Sequence, residues 1–175
     1  MREQVEPERV TIRLARVDDA AAIAEIYNQG ILGRQATFET RLRTVDDIFE
    51  TLRASAGRFP YLAAEIDGVV AGWASVSPYR PRECYAGIGE FSIYVHDDWR
   101  QSGVGRVLLP VLIEAAEDAG FWKLLSRVFP ENTGSLRLAA ACGFREVGVY
   151  EKHARLDGVW RDVVIIERLI SGNQV

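Results

Sequence analysis

The chain has 175 residues, 48% of them hydrophobic and 26% charged, with a net charge of −4. That is the make-up of one soluble domain with a single core, and the negative balance speaks against nucleic acid as its main partner. No apolar stretch approaches the roughly 20 residues that a membrane span needs.

The charged opening, Met1 to Arg9, is no signal peptide. It is expected to be a flexible tail (residues 1–10) ahead of a single domain over 11–170, with 171–175 as a C-terminal tail and a cytoplasmic location. Thr11-Ile12-Arg13-Leu14-Ala15 alternates as a first strand. Asp18 is placed to cap a helix with Ile23, Ile26, Tyr27, Gly30 and Ile31 at helical spacing. Thr44 and Asp47 form a capping-box pattern before a second helix carrying Ile48, Phe49 and Leu52. Two strands, 61–66 and 69–77, flank Asp67-Gly68, a type I′ hairpin signal. The segment 78–82, with two prolines, is expected to be a connecting loop.

A strand over 90–95 then leads through a glycine-rich turn into a long helix that Gly120 closes. Pro110 lies inside that helix, where proline costs ~3 kcal/mol relative to alanine, so a kink or local irregularity is expected. Next come a strand over 124–129, a helix from Thr133 to Cys142 capped by Asn132, and a final hairpin, 147–154 with 160–169, turning at 156–158. Cys84 and Cys142 lie far apart without companion ligands, so no metal site is expected, and Cys142 serves as a small hydrophobe. His96 and His153 stand in no recognisable pattern with a nucleophilic Ser or Cys, which speaks against hydrolase chemistry.

The turn itself is Arg100-Gln101-Ser102-Gly103-Val104-Gly105-Arg106. Glycines let backbone amides approach an anion, the new helix aims unpaired N–H groups at it, and the arginines add positive charge. A Walker A loop would need a Gly-Lys-Ser/Thr ending, and the dinucleotide fingerprint a third glycine where Leu108 stands. The form R-x-x-G-x-G then reads either as a pyrophosphate cradle or as a plain Gly-x-Gly helix start that binds no phosphate.

That motif, with the element order β-α-α-β-β-β-α-β-α-β-β, resembles the GNAT acetyltransferases. The resemblance implies an α/β fold, a mixed sheet of about seven strands flanked by about four helices. Within that superfamily the chain is similar to the phosphinothricin, methionine sulfoximine and arsinothricin N-acetyltransferases over about residues 12–169. The similarity runs through Tyr27-Asn28, Ala36-Thr37-Phe38-Glu39, Tyr61 to Glu65, Asp67 to Gly72, Tyr79-Arg80-Pro81-Arg82, Tyr85, Glu90 to Val95, Pro130-Glu131-Asn132 and Asp157 to Val163.

The resemblance implies acetyl-CoA as co-substrate and no metal. It places the pantetheine arm along Ile93, Tyr94 and Val95, the pyrophosphate on residues 100–106 (Ser102 among them), and Asn132 on the cofactor. A backbone N–H of the central strand would stabilise the acetyl oxyanion. Glu90, three residues before Ile93, is the candidate general base for the acceptor's ammonium, although a strand-end carboxylate can also be there to pair with an arginine. Arg80 and Arg82 would grip an anionic acceptor, with Tyr85 and Phe38 walling the pocket.

One departure stands out. Where many GNAT enzymes have Tyr, and better-known members of this family His, position 139 is Ala. The thiolate must then be protonated by another group, with Tyr94 and Tyr150 as candidates, or leave unassisted. Trp160 and Asp162 are expected to be structural, with a pocket or dimer role as the alternative. The implied activity is direct transfer to a small anionic toxin by a homodimer, serving detoxification and antibiotic resistance. A cationic acceptor (polyamine, aminoglycoside or protein amine) and a non-catalytic acetyl-CoA-binding module remain as alternatives.

Overall fold

The computed structural model describes residues 6–174. Residues 1–5 of the expected N-terminal tail, and Val175 of the C-terminal one, lie outside the described residues. Residues 7–9 form a 3₁₀ turn and β1 begins at Val10. Arg9 is paired with Asp67 of a distant hairpin at 2.5 Å. At the other end Asn173 donates to the carbonyls of Glu117 and Phe121, which ties residues 171–173 to the domain.

The elements follow the order read from the sequence: β1 (Val10–Leu14), α1 (Ala20–Leu32), α2 (Val45–Ser55), β2 (Tyr61–Ile66), β3 (Val69–Pro78), β4 (Ile88–Val95), α3 (Val104–Asp118), β5 (Lys123–Val128), α4 (Thr133–Ala141), β6 (Arg145–Leu156) and β7 (Val159–Leu169). The seven strands form one sheet in the order β1-β2-β3-β4-β5-β7-β6. Every pair is antiparallel except β4 with β5. This is the mixed α/β architecture expected.

The strand period of two sends neighbouring residues to opposite faces. Leu62 and Ala74 pack with Leu108 and Leu112 of α3. Their neighbours Tyr61 and Trp73 pack with Ile23 and Ile26 of α1 and Ile48 and Leu52 of α2. Two helices therefore cover one face of the sheet, and α3 with Ala139 of α4 the other.

Local rules hold at most boundaries. The Thr44 hydroxyl accepts from the Asp47 amide, and the Asp47 carboxylate accepts from the Thr44 amide, a completed capping box. Asp67 and Gly68 both have positive φ, as a type I′ turn requires.

Two expectations need correction. Asp18 does not cap α1; Asp19 stands at that position, and its buried carboxylate is spent on the Arg13 guanidinium (2.7 and 2.8 Å) and the Arg16 amide. The hydrogen bonds from Arg13 hold that carboxyl below its ordinary range. Pro78 ends β3 rather than starting the loop: proline cannot donate to a ladder, but a strand's last position tolerates that. Pro110 lies inside α3, as read from the sequence, and faces solvent.

Candidate active site

The parallel pairing of β4 with β5 ends at Glu90 opposite Leu125. Beyond it β4 runs on to Val95 and β5 to Val128 without pairing with each other, while β4 stays paired with β3 as far as Val95. From Phe91 to Val95 the edge of β4 that faces β5 therefore has backbone groups that the sheet does not engage. Two adjoining cavities open along this split, sharing Ala36, Ile93, Tyr94, Asn132, Ser135 and Leu138.

The first is a cleft of about 720 Å³. Ile93, Tyr94, Val95, Arg100, Gln101, Gly103, Val104, Gly105, Arg106 and Asn132 all line it, as the sequence led us to expect. Gly103 precedes α3 with φ 105°, a conformation that disfavours any side chain. Gly105 has a second use: a Cβ there would lie 3.0 Å from Leu138, so its absence lets α4 approach α3 closely. Ser102 is the exception. It is 2% exposed, and its hydroxyl donates to the Trp99 carbonyl, so it braces the turn from behind. Arg100 is held by Asp97 at 2.9 Å. The Asn132 side chain accepts from the Ser135 amide, which makes it the α4 cap as well as a lining residue.

Arg137 also lines this cleft and was missed. Gly134, Arg137, Leu138 and Ala141 follow helical spacing along one lining face of α4, the signal that could have found it.

The second cavity, about 630 Å³, lies between the sheet and residues 36–41. Sequence-distant contacts fix that covering segment. Asn28 of α1 exchanges two hydrogen bonds with the Arg43 backbone, Arg161 of β7 donates to the Arg34 carbonyl, and Arg34 pairs with Asp157. Phe38 is thereby set edge-on to Phe129, with centroids 4.8 Å apart, and both line the cavity.

Glu90 lines the cavity too, and it does not stand alone. Arg127 of β5 donates to its Oε1 from Nε (2.8 Å) and Nη2 (2.5 Å). Oε2 makes no hydrogen bond to a described residue, so one carboxylate oxygen is left for a ligand. The strand-end ion pair weighed from the sequence is thus present.

Arg80, Arg82 and Tyr85, expected on the acceptor, line neither cavity. They lie in the β3–β4 connection, where Arg80 sits over Tyr79 and Tyr79 meets Tyr85 edge-on. The side chains that do bring positive charge or imidazole to the cavity are Arg41, Arg127 and His153, none of which was singled out for this role.

Of the two tyrosines considered for the thiolate, Tyr150 lines neither cavity and packs at a tilt against His153. Tyr94 lines both cavities, donates weakly to the Ala36 carbonyl, and is pushed well up from the usual phenol range by burial. Ala139 is buried in the cavity wall and brings no titratable group there. Neither cysteine lines a cavity, and burial raises the Cys142 thiol above its ordinary value.

Comparison with known proteins agrees with this geometry. Residues 22–144 match the model of the Acetyltransferase (GNAT) family. A phosphinothricin N-acetyltransferase from Alcaligenes faecalis is 37% identical over 92% of this chain and 83% of its own. The L-methionine sulfoximine/L-methionine sulfone acetyltransferase of Salmonella typhimurium is 32% identical over 90% of this chain and 93% of its own. Among solved structures, a GNAT superfamily phosphinothricin acetyltransferase from Sinorhizobium meliloti in complex with AcCoA superposes with a TM-score of 0.89 at 28% identity, covering 95% of this chain and 92% of that one. With the split sheet, the glycine turn and the family match in agreement, this chain belongs to the GNAT acetyltransferase family and is one of its acyltransferases.

Proposed function

We propose that the protein transfers the acetyl group of acetyl-CoA to the α-amino group of a small anionic, glutamate-like amino acid, directly and within a ternary complex. Phosphinothricin, arsinothricin and methionine sulfoximine are the leading acceptors. One observation carries the reading: the β4–β5 split joins a glycine-turn cleft to a second, covered cavity, and Glu90 lines that second cavity where the strands part. The residues present fit the co-substrate. A left-handed glycine and a helix start offer amides to a pyrophosphate, and the β4 edge offers a strand partner to an amide-bearing arm.

When bound, acetyl-CoA supplies the acetyl group and leaves as a thiolate. The chain's own residues do the rest. Glu90 Oε2 takes the proton from the acceptor's ammonium, so that a neutral amine can attack, while Arg127 holds Oε1 and fixes the carboxylate plane. An amide on the split edge of β4 donates to the carbonyl oxygen as negative charge gathers there. Phe38, Phe129 and the 36–41 segment exclude water from the acceptor. With Ala at 139, the thiolate leaves without a proton from that position, which a thiol pKa near ~8.5 allows.

The names of the relatives support the acceptor class, and the test is release of free CoA thiol. The panel holds phosphinothricin, methionine sulfoximine, arsinothricin, glutamate, spermidine and an aminoglycoside. Turnover confined to the glutamate-like compounds is expected. Turnover on spermidine or the aminoglycoside alone would replace this acceptor with a cationic one. Acetyl-CoA binding without turnover on any amine would favour a non-catalytic binding module.

The outer strand β6 is exposed along most of its length and has no partner on its outer edge among the described residues. Val147, Val149, Tyr150, Val159 and Trp160 are each about half exposed on this hairpin. We assign the hairpin to a second copy of the chain, because a strand edge pairs with its own copy about a two-fold axis. Light scattering should give twice 19.6 kDa, and Val149→Lys should return the monomer mass; a monomeric wild type would remove the assignment.

A further inference from the structure

Strand β6 carries an irregularity that the hairpin does not need. Tyr150 pairs with Val163 and Ala154 with Arg161, so residues 151–153 oppose Asp162 alone. Lys152 sits in the bulge at φ 46°, a left-handed conformation that a residue with a Cβ adopts at a cost. The Asp162 carboxylate holds it there, accepting from the Lys152 amide at 2.7 Å. Extra residues in a strand re-aim the side chains beside them. Here the next residue, His153, lines the acceptor cavity while staying exposed to solvent, as most of β6 is.

His153 is also uncommitted. Its ring lies tilted against Tyr150 with centroids 4.9 Å apart, and its nitrogens make no hydrogen bond to a described residue. Arg127 lines the same cavity and is half exposed. It spends Nε and Nη2 on a single Glu90 oxygen, so that Nη1 remains available. Arg41, the other guanidinium in the wall, is tied to Asp47. The carboxylates facing the cavity are Glu39, paired with Arg43, and Glu90 itself.

We infer that His153, with Arg127 beside it, is a specificity-determining site for an oxyanion of the acceptor. The inference rests on the acetyltransferase reading and deepens it, adding a contact for the acceptor's negative charge at the β6 bulge. An imidazole N–H and a guanidinium N–H donate to the oxyanion, and hydrogen bonds to a charged group are the strong ones. The oxyanion is either the side-chain phosphinate or the α-carboxylate of an amino-acid acceptor.

The test is steady-state kinetics of wild type, His153→Ala and His153→Arg with three acceptors: phosphinothricin, its α-carboxamide, and methionine sulfone, which lacks the side-chain anion. For His153→Ala, KM for phosphinothricin should rise about tenfold or more, with kcat and acetyl-CoA affinity near wild type. The penalty should vanish for whichever analogue lacks the anion that His153 reads, and His153→Arg should restore most of the loss. The imidazole resonances of His153, assigned by comparison with His153→Ala, should shift when phosphinothricin is titrated into the wild type.

A His153→Ala enzyme with unchanged KM, or an equal penalty on all three acceptors, overturns the inference and leaves the acetyltransferase reading intact. No turnover by the wild type on any amine overturns that reading instead. In that case a His153 resonance that phosphinothricin fails to move removes the anion site as well, and a shifted one retains it.

Discussion

The cleft at the glycine turn and the cavity under residues 36–41 share Ile93, Tyr94, Asn132 and Leu138, but they are built by different means. Much of the cleft is backbone: a strand edge without a partner, a glycine at φ 105° and a helix start. The cavity is mostly side chain, drawn from the segment after α1, β4, β5, α4 and β6. A backbone site is written into a few consecutive residues. A side-chain site depends on register and on contacts between segments far apart in sequence. That difference governs how each side should respond to mutation.

The largest expected effects separate the two regions, beginning with the cleft. Gly103→Val puts a β-branched side chain at a left-handed position, which costs of the order of 1–3 kcal/mol and displaces the amides that follow it. Acetyl-CoA affinity measured by calorimetry should fall more than tenfold, and acceptor KM at saturating acetyl-CoA should hardly move. Glu90→Gln is the counterpart on the other side. It should leave acetyl-CoA affinity unchanged and lower kcat by about 10²–10⁴. Should Glu90→Gln weaken acetyl-CoA binding while kcat stays near wild type, the two regions would not divide the work in this way.

The same difference explains what could be read in advance. The capping box at Thr44 and Asp47, the Asp67-Gly68 turn and the glycine turn are local patterns, and each forms as its residues dictate. Glu90 could be singled out through family likeness, but its partner Arg127 lies 37 residues away and reaches it only because β4 and β5 pair in parallel with Glu90 opposite Leu125. His153 was passed over because nothing local marks a bulge whose anchor, Asp162, is on the next strand. Arg80 and Arg82 illustrate the opposite error. Two guanidiniums close in sequence suggest an anion grip, yet Arg80 lies over Tyr79 of its own loop and neither arginine lines the cavity, so local spacing alone does not place them.

The smallest effect is expected where the two regions meet. Asn132 lines both cavities and also caps α4 through the Ser135 amide. Replacing an N-cap by alanine costs ~0.5–2 kcal/mol, so Asn132→Ala should lower the melting temperature by a few degrees whatever else Asn132 does. Asn132→Asp separates the roles, because aspartate caps as well as asparagine and interacts favourably with the start of the helix. If Asn132 contacts the co-substrate, aspartate keeps the melting temperature but weakens acetyl-CoA binding severalfold, since it sets a negative charge beside an anionic ligand. Wild-type affinity in Asn132→Asp would mean that the residue serves the helix alone. The contact with acetyl-CoA would then fall to Arg137, which stands on the same face of α4 and lines the same cleft.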